Sequence, residues 1–255
     1  MRVSTMIRIS AAMAADGRLI DRITNFARQV EALGFPGIWI GDSMGRGRPT
    51  LDSLQVLTAL AAVTSKVELG ISVLQLPLRN PVELAHRVQS LQAMSNNRLI
   101  LGVGSGSTRD DFELLGYDYD HRFRTFRNEL EIMIKVWNGE PVNGGTLATW
   151  PGCKGGPPIL IGAWRSPRWI TYAAKQAQGW TPSGRYSSLE DLEFGLTVIA
   201  SRVAPTPCWR IARSISRSAS NRPSWQSWPR SISSARLTRR AGGSSASSKW
   251  VSTKS

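Results

Sequence analysis

What this sequence is short of excludes a good deal. No run of about 18 apolar residues occurs, so no segment is expected to cross a membrane as a helix. Cys153 and Cys208 are the two cysteines, and they have neither metal-ligand spacing nor the makings of a disulfide framework, which points to a reducing cytoplasm. Histidine is equally scarce. His86 falls inside an expected helix and His121 in a polar loop, where a satisfied or solvated ring is a better reading than a catalytic one. The opening residues carry a single Arg2, and Arg8 and Ser10 interrupt the stretch through Met13, which argues against a signal peptide.

Acidic residues are missing in one place. Residues 201–255 hold 11 Lys or Arg and no Asp or Glu, which leaves 21 basic against 18 acidic residues in the first 200. The formal charge of +14 therefore belongs to the tail. A nucleic-acid surface should be built on the fold itself, so a nucleic-acid binder acting through its basic tail is the weakest of the readings; no specific nucleic-acid partner is expected.

The first 200 residues alternate between short apolar strands and amphipathic helices. Strands are expected at 6–11, 37–40, 67–73, 99–103, 159–161 and 179–181. Helices are expected at 21–33, 51–63, 81–94, about 124–137, 167–176 and 189–199, with a Gly/Pro-rich loop over 140–158. Strands apolar on both faces, each followed by a helix, call for a parallel sheet covered by helices. A closed (β/α) barrel is favoured over a doubly wound open sheet, which periodicity alone does not exclude.

After about Arg202 the pattern stops. The last 55 residues include 16 serines, nine arginines and four tryptophans. Disordered tails are poor in tryptophan, and this mixture is what a GC-rich gene yields when translated out of frame. Read one base out of register with GC-rich codons, the nucleotides for residues 234–254 can encode a capped amphipathic helix running into a strand. The expectation is a frame change between about residues 196 and 205. It divides the chain into a barrel over 1–200 and an aberrant or disordered tail over 201–255.

Three segments at the carboxyl ends of expected strands carry the chemistry, because that face of a (β/α)8 barrel holds the active site. In Leu69-Gly70-Ile71-Ser72-Val73, small residues let backbone approach a flat ring, and Arg79-Asn80-Pro81 opens the next helix. In Gly102-Val103-Gly104-Ser105-Gly106-Ser107, glycines permit close approach and positive φ, and N–H groups could cradle an anion. The spacing is one short of a dinucleotide-binding fingerprint. In Ile161-Gly162-Ala163-Trp164-Arg165-Ser166-Pro167, a small-residue turn precedes a Ser-Pro helix start suited to a phosphate.

These segments resemble the luciferase-like monooxygenase family. The resemblance rests on their order together with Leu33-Gly34-Phe35, Gly41-Asp42, the stretch over 59–70, Val136-Trp137-Asn138-Gly139-Glu140-Pro141-Val142 and Gln178-Gly179-Trp180, and it spans about residues 15–200. It implies a (β/α)8 barrel, here incomplete because the seventh strand, seventh helix and eighth strand are not recognisable. It also implies FMN or F420 as cofactor, and hydride transfer or oxygen activation on a small organic substrate, with a homodimer left open. By position, Ser72 and Val73 would form a non-prolyl cis peptide behind the ring. Gly104, Ser105 and Gly106 would border the cofactor, and Gly162, Ala163 and Ser166 would hold its phosphate. The out-of-frame peptide resembles the family's last helix and strand, so the chain is alternatively an inactive remnant whose barrel cannot close.

One departure stands out. Many family members carry His after Asp at the end of the second strand, where this chain reads Gly41-Asp42-Ser43. Serine is no general base at neutral pH. Asp42 is the remaining catalytic candidate, with a pocket-lining role the better reading. Arg46-Gly47-Arg48 suits an anionic substrate or the acidic tail of F420, or is a surface loop. Arg109-Asp110-Asp111 reads as a solvated charge run, Trp39 and Trp137 as packing, and Trp164 and Trp180 as either packing or ring contacts.

Overall fold

The computed structural model describes residues 4–44, 47–183 and 187–201, together with the backbone of Arg210–Ile211. Seven strands, all parallel, lie in one sheet in the order of the chain: β1 (Thr5–Met6), β2 (Gly37–Ile40), β3 (Glu68–Gln75), β4 (Leu99–Gly104), β5 (Ile159–Gly162), β6 (Gly179–Thr181) and β7 (Arg210–Ile211). Between them run the helices α1 (Leu19–Ala32), α2 (Ser53–Val63), α3 (Pro81–Met94), α4 (Arg109–Leu115), α5 (Arg122–Asn138), α6 (Pro167–Gln176) and α7 (Leu189–Ala200).

The order decides between the two architectures left open by periodicity. A doubly wound sheet reverses strand order at a switch point; this one never does. A side-chain contact shows that the sheet also curls. Ser72 Oγ on β3 lies 3.2 Å from Thr181 Oγ1 on β6. Across a flat sheet strands three apart are separated by roughly 14 Å, too far for two short side chains. The sheet is therefore wound as a (β/α) barrel of the TIM type. Among the described residues, no strand bridges β7 and β1.

Local chemistry sets the helix starts. Asp52 caps α2 by accepting from Gln55 N, and Asn80 caps α3 by accepting from Val82 N and Glu83 N ahead of Pro81 at the first turn. Ser188 and Asp191 form a reciprocal capping box at α7. The helices α4 and α5 end at Gly116 and Gly139, with φ of 72° and 76°, a conformation glycine adopts without penalty. The expected strand over 6–11 is corrected to Thr5–Met6, because the alanine-rich run that follows takes a 3-10 turn at Ala11–Ala14, as helix-favouring residues do. The pair Arg210–Ile211 adds a parallel strand beside Gly179 and Trp180, in a segment where the sequence pattern showed none. The remainder of the expected tail lies outside the described residues.

The amino-terminal face of the sheet is built for stability. Arg98 donates to the carbonyls of Ala61, Thr64, Val67 and Ser95 and to Thr64 Oγ1, stapling the end of α2 to β3 and β4. The Glu31 carboxylate accepts from the backbone N–H groups of Ser65, Lys66 and Val67. Trp137 is fully buried, donating to Ala85 O and packing on Gly156, so it belongs to the core.

Candidate functional site

The carboxyl ends of β3 to β6 converge on one bulge. The register between β3 and β4 shifts between Ile71 and Leu74, and the Ser72–Val73 peptide is cis. The bulge drives Val73 across the ends of the next two strands. A Cβ on Gly104 would sit 2.8 Å from Val73 Cγ2, and one on Gly162 would sit 2.9 Å from Val73 Cγ1. At Gly102 the obstacle is backbone, with Ile71 O 2.2 Å away. These glycines make room for the bulge itself. Of the two uses expected for glycines in the 102–106 segment, Gly102 and Gly104 serve close approach and Gly106 alone has a positive φ, at +78°.

Ser72, Val73, Gly104 and Gly162 thus share one small area, with Thr181 across the mouth. Thr181 is buried and was not singled out from sequence; a hydroxyl ending the short apolar strand Gly179–Thr181 was the signal for it.

Asp42 lies at the end of β2 with its side chain 3 % exposed. Arg79 grips it with two nitrogens, Nη1 to Oδ2 and Nη2 to Oδ1, each at 2.9 Å. Gln75 N donates to Oδ2 at 3.1 Å, and Ser53 Oγ approaches Oδ1 at 3.5 Å. Its carboxylate is committed to holding the end of β3. Of the basic loop beyond it, Arg46 is outside the described residues and Arg48 is exposed.

The loop after β4 is held from below. A Cβ on Gly106 would meet Phe112 Cε2 at 2.8 Å and Gln75 Oε1 at 3.0 Å, so α4 and the end of β3 pack directly against it. Tyr119 Oη donates to Ser107 O at 3.3 Å, and Ser105 Oγ reaches Gly106 O at 3.5 Å. Reading Arg109-Asp110-Asp111 as a solvated run is corrected at Asp111, which is fully buried and accepts from Gln75 Nε2 at 3.1 Å. A charge run carries no sequence mark of which member turns inward. His121 is exposed and paired with Asp118, whose carboxyl is held below its usual range chiefly by that contact; His86 is exposed as well.

The third segment forms the turn into α6. Ser166 caps the helix by accepting from Trp169 N, and the first turn holds no acidic residue, with Arg165 and Arg168 beside it. Trp180 Nε1 donates to Ala163 O at 2.8 Å while its ring packs on Gly195 of α7, so Trp180 is a packing residue that also fixes the turn. Trp164 Nε1 and Arg165 Nε both reach the Asp191 carboxylate, at 3.4 and 2.8 Å. Asp191 titrates below the ordinary carboxylate range, mainly because Ser188 N–H donates to it. Among the described residues, no cluster of three or more His, Cys, Asp or Glu could hold a metal, and no helix is long and apolar enough to cross a membrane.

With this geometry in hand, the chain can be set beside known proteins. It is 31% identical over 123 residues to 4-hydroxyprotoasukamycin monooxygenase of Streptomyces nodosus subsp. asukaensis, a match covering 48% of this chain and 33% of that protein. It is 28% identical over 129 residues to F420-dependent glucose-6-phosphate dehydrogenase of Amycolatopsis mediterranei, covering 48% and 39%. The chain thus spans between about a third and two fifths of the length of these relatives. Among solved structures, monooxygenase RslO1 from Streptomyces bottropensis superposes with a TM-score of 0.72 at 20% identity, covering 83% of this chain and 70% of that one. The oxygenating constituent of 3,6-diketocamphane monooxygenase from Pseudomonas putida, solved in complex with FMN, gives 0.68 at 18% identity, covering 79% and 62%. The model of one family, luciferase-like monooxygenase, matches residues 1–205. Its bulged third strand, glycine-ended fourth and fifth strands and capped sixth helix all fall inside that match, and the chain belongs to the luciferase-like monooxygenase family.

Proposed function

We propose that this barrel seats FMN or F420 at the carboxyl ends of β3 to β6 and serves as an oxidoreductase on a small organic substrate. The observation that carries the reading is that Val73 packs directly against Gly104 and Gly162, so that β3, β4 and β5 meet there with no side chain from either glycine between them. A flat redox ring needs such a floor. Its phosphate needs a helix N-terminus with no acid in the first turn, and α6 offers one, with Ser166 at the cap, Gly162 and Ala163 leading into it, and the neighbouring Asp191 carboxylate paired with Arg165. The residues present fit the group.

When bound, FMN or F420 supplies the two-electron chemistry that protein side chains cannot. The chain's own residues hold and shield it. Val73 would back the ring, residues 104–106 would border it, and the turn over 162–166 would hold the phosphate. Ser72, hydrogen-bonded to Thr181, offers a neutral hydroxyl at the mouth. Asp42, gripped by Arg79, is a positioning residue for β3. The homodimer and the cytoplasmic location stay attached to this reading. The test is titration of the purified chain with FMN and with F420, followed by cofactor fluorescence. Saturable binding of one is expected, and failure of both to bind overturns the reading.

A second reading has a specific observation behind it. Residues 201–255 contain no acid among 11 basic residues, and the family match ends at 205, where the frame change was expected. On that reading the chain keeps the family fold through α7 and has lost its activity. Sequencing the gene across codons 195–210 tests it: a single-base change that restores a family-like frame supports it, and the lack of one ends it.

A further inference from the structure

Gln75 is the last residue of β3, three positions beyond Ser72, and it binds in three directions. Its backbone N–H donates to Asp42 Oδ2 at 3.1 Å, and its carbonyl accepts from Arg79 Nη1 at 3.0 Å. Its side-chain nitrogen donates to the buried Asp111 carboxylate at 3.1 Å, and the residue is only 3 % exposed. The amide oxygen has no hydrogen-bond partner and is aimed at Gly106, close enough that a Cβ there would be 3.0 Å away. In the sheet, Gln75 pairs with Gly104.

We propose that Gln75 is a positioning residue, joined to Asp111 so that the bulge on β3 and the 105–107 loop form one rigid edge of the cofactor seat. Asp111 sits in the first turn of α4, whose next residue, Phe112, lies beneath Gly106. Holding Asp111 therefore holds the loop. A carboxylate at full burial is costly unless bonded, and a bond to a charged group is among the stronger ones in a protein interior. With the amide oxygen unpaired, the side chain's hydrogen bond is the one to Asp111, beside close packing at Gly106. The effect on cofactor affinity rests on the flavin-type reading above; the tie itself does not.

Exchanging donor and acceptor provides the test. Gln75→Glu sets two carboxylates face to face, whereas Gln75→Glu with Asp111→Asn restores the hydrogen bond in reverse at unchanged net charge. Amide hydrogen exchange across 105–112 reads the loop directly, with β4 as internal reference. We expect Gln75→Glu to speed exchange there by about tenfold and to weaken FMN or F420 binding by a similar factor, the loss of roughly one charged hydrogen bond. The double variant is expected to return both to within about threefold. Exchange across 105–112 that is unaltered by Gln75→Glu, or that stays fast in the double variant, overturns the tie. So does a double variant that fails to fold, since it keeps both the bond and the charge. Exchange that follows the swap in a chain binding neither cofactor leaves the tie standing and removes the flavin reading instead.

Discussion

Replacing Arg79 with methionine removes the guanidinium from a carboxylate whose side chain is 3 % exposed. Asp42 would lose two bonds of 2.9 Å and keep the N–H of Gln75 at 3.1 Å and a long contact from Ser53 at 3.5 Å. Removing one partner of a buried pair costs about 3–5 kcal/mol, because the charge left behind is neither solvated nor compensated. Against a total stability of roughly 5–15 kcal/mol this is about a fifth or more, equivalent to a fall of about 10 °C in Tm for a domain of this size. The sign of the coupling is the sharper part. Asp42→Asn alone strands Arg79, but Asp42→Asn combined with Arg79→Met leaves no buried charge. The double variant should therefore be more stable than the two single losses added together, by at least about 1.5 kcal/mol. Urea unfolding of the four proteins measures it. Additive losses, or a loss below about 1 kcal/mol for Arg79→Met, would show that the pair is effectively solvated and refute the argument.

Burial pushes the Glu129 carboxyl up to about 8, with Oε2 buried and unpartnered. The folded protein therefore keeps a proton that the unfolded chain releases near its ordinary value of about 4.3, so stability falls as pH rises from about 5 to 8. Glu129→Gln should leave Tm near the wild-type value at pH 5 and raise it above pH 8; equal shifts at both would contradict this. Gly104→Ala should cost about 1–3 kcal/mol by colliding with Val73, and adding Val73→Ala should recover most of the loss, read by thermal melting. Arg98→Met should lower stability by about 2–3 kcal/mol while cofactor affinity changes less than twofold, since every Arg98 bond lies at the opposite end of the strands from the bulge.

Periodicity along the chain was enough to locate β2, α3, α6 and β6 to the residue, because proline, glycine and capping side chains act within a few positions of where they stand. Family-like segments likewise located the bulge at Ser72 and Val73 and the small residues facing it. What those glycines are small for was not legible: their missing side chains make way for Val73, which approaches from a neighbouring strand. The burial of Asp111, the bidentate grip of Arg79 on Asp42 and the hydroxyl pair of Ser72 and Thr181 were equally hidden. Each joins residues some 36 to 109 positions apart. Local sequence dictates the elements, since helix caps and hydrophobic faces are short-range effects; only the curl of the sheet decides which polar groups lose water together and must therefore satisfy one another.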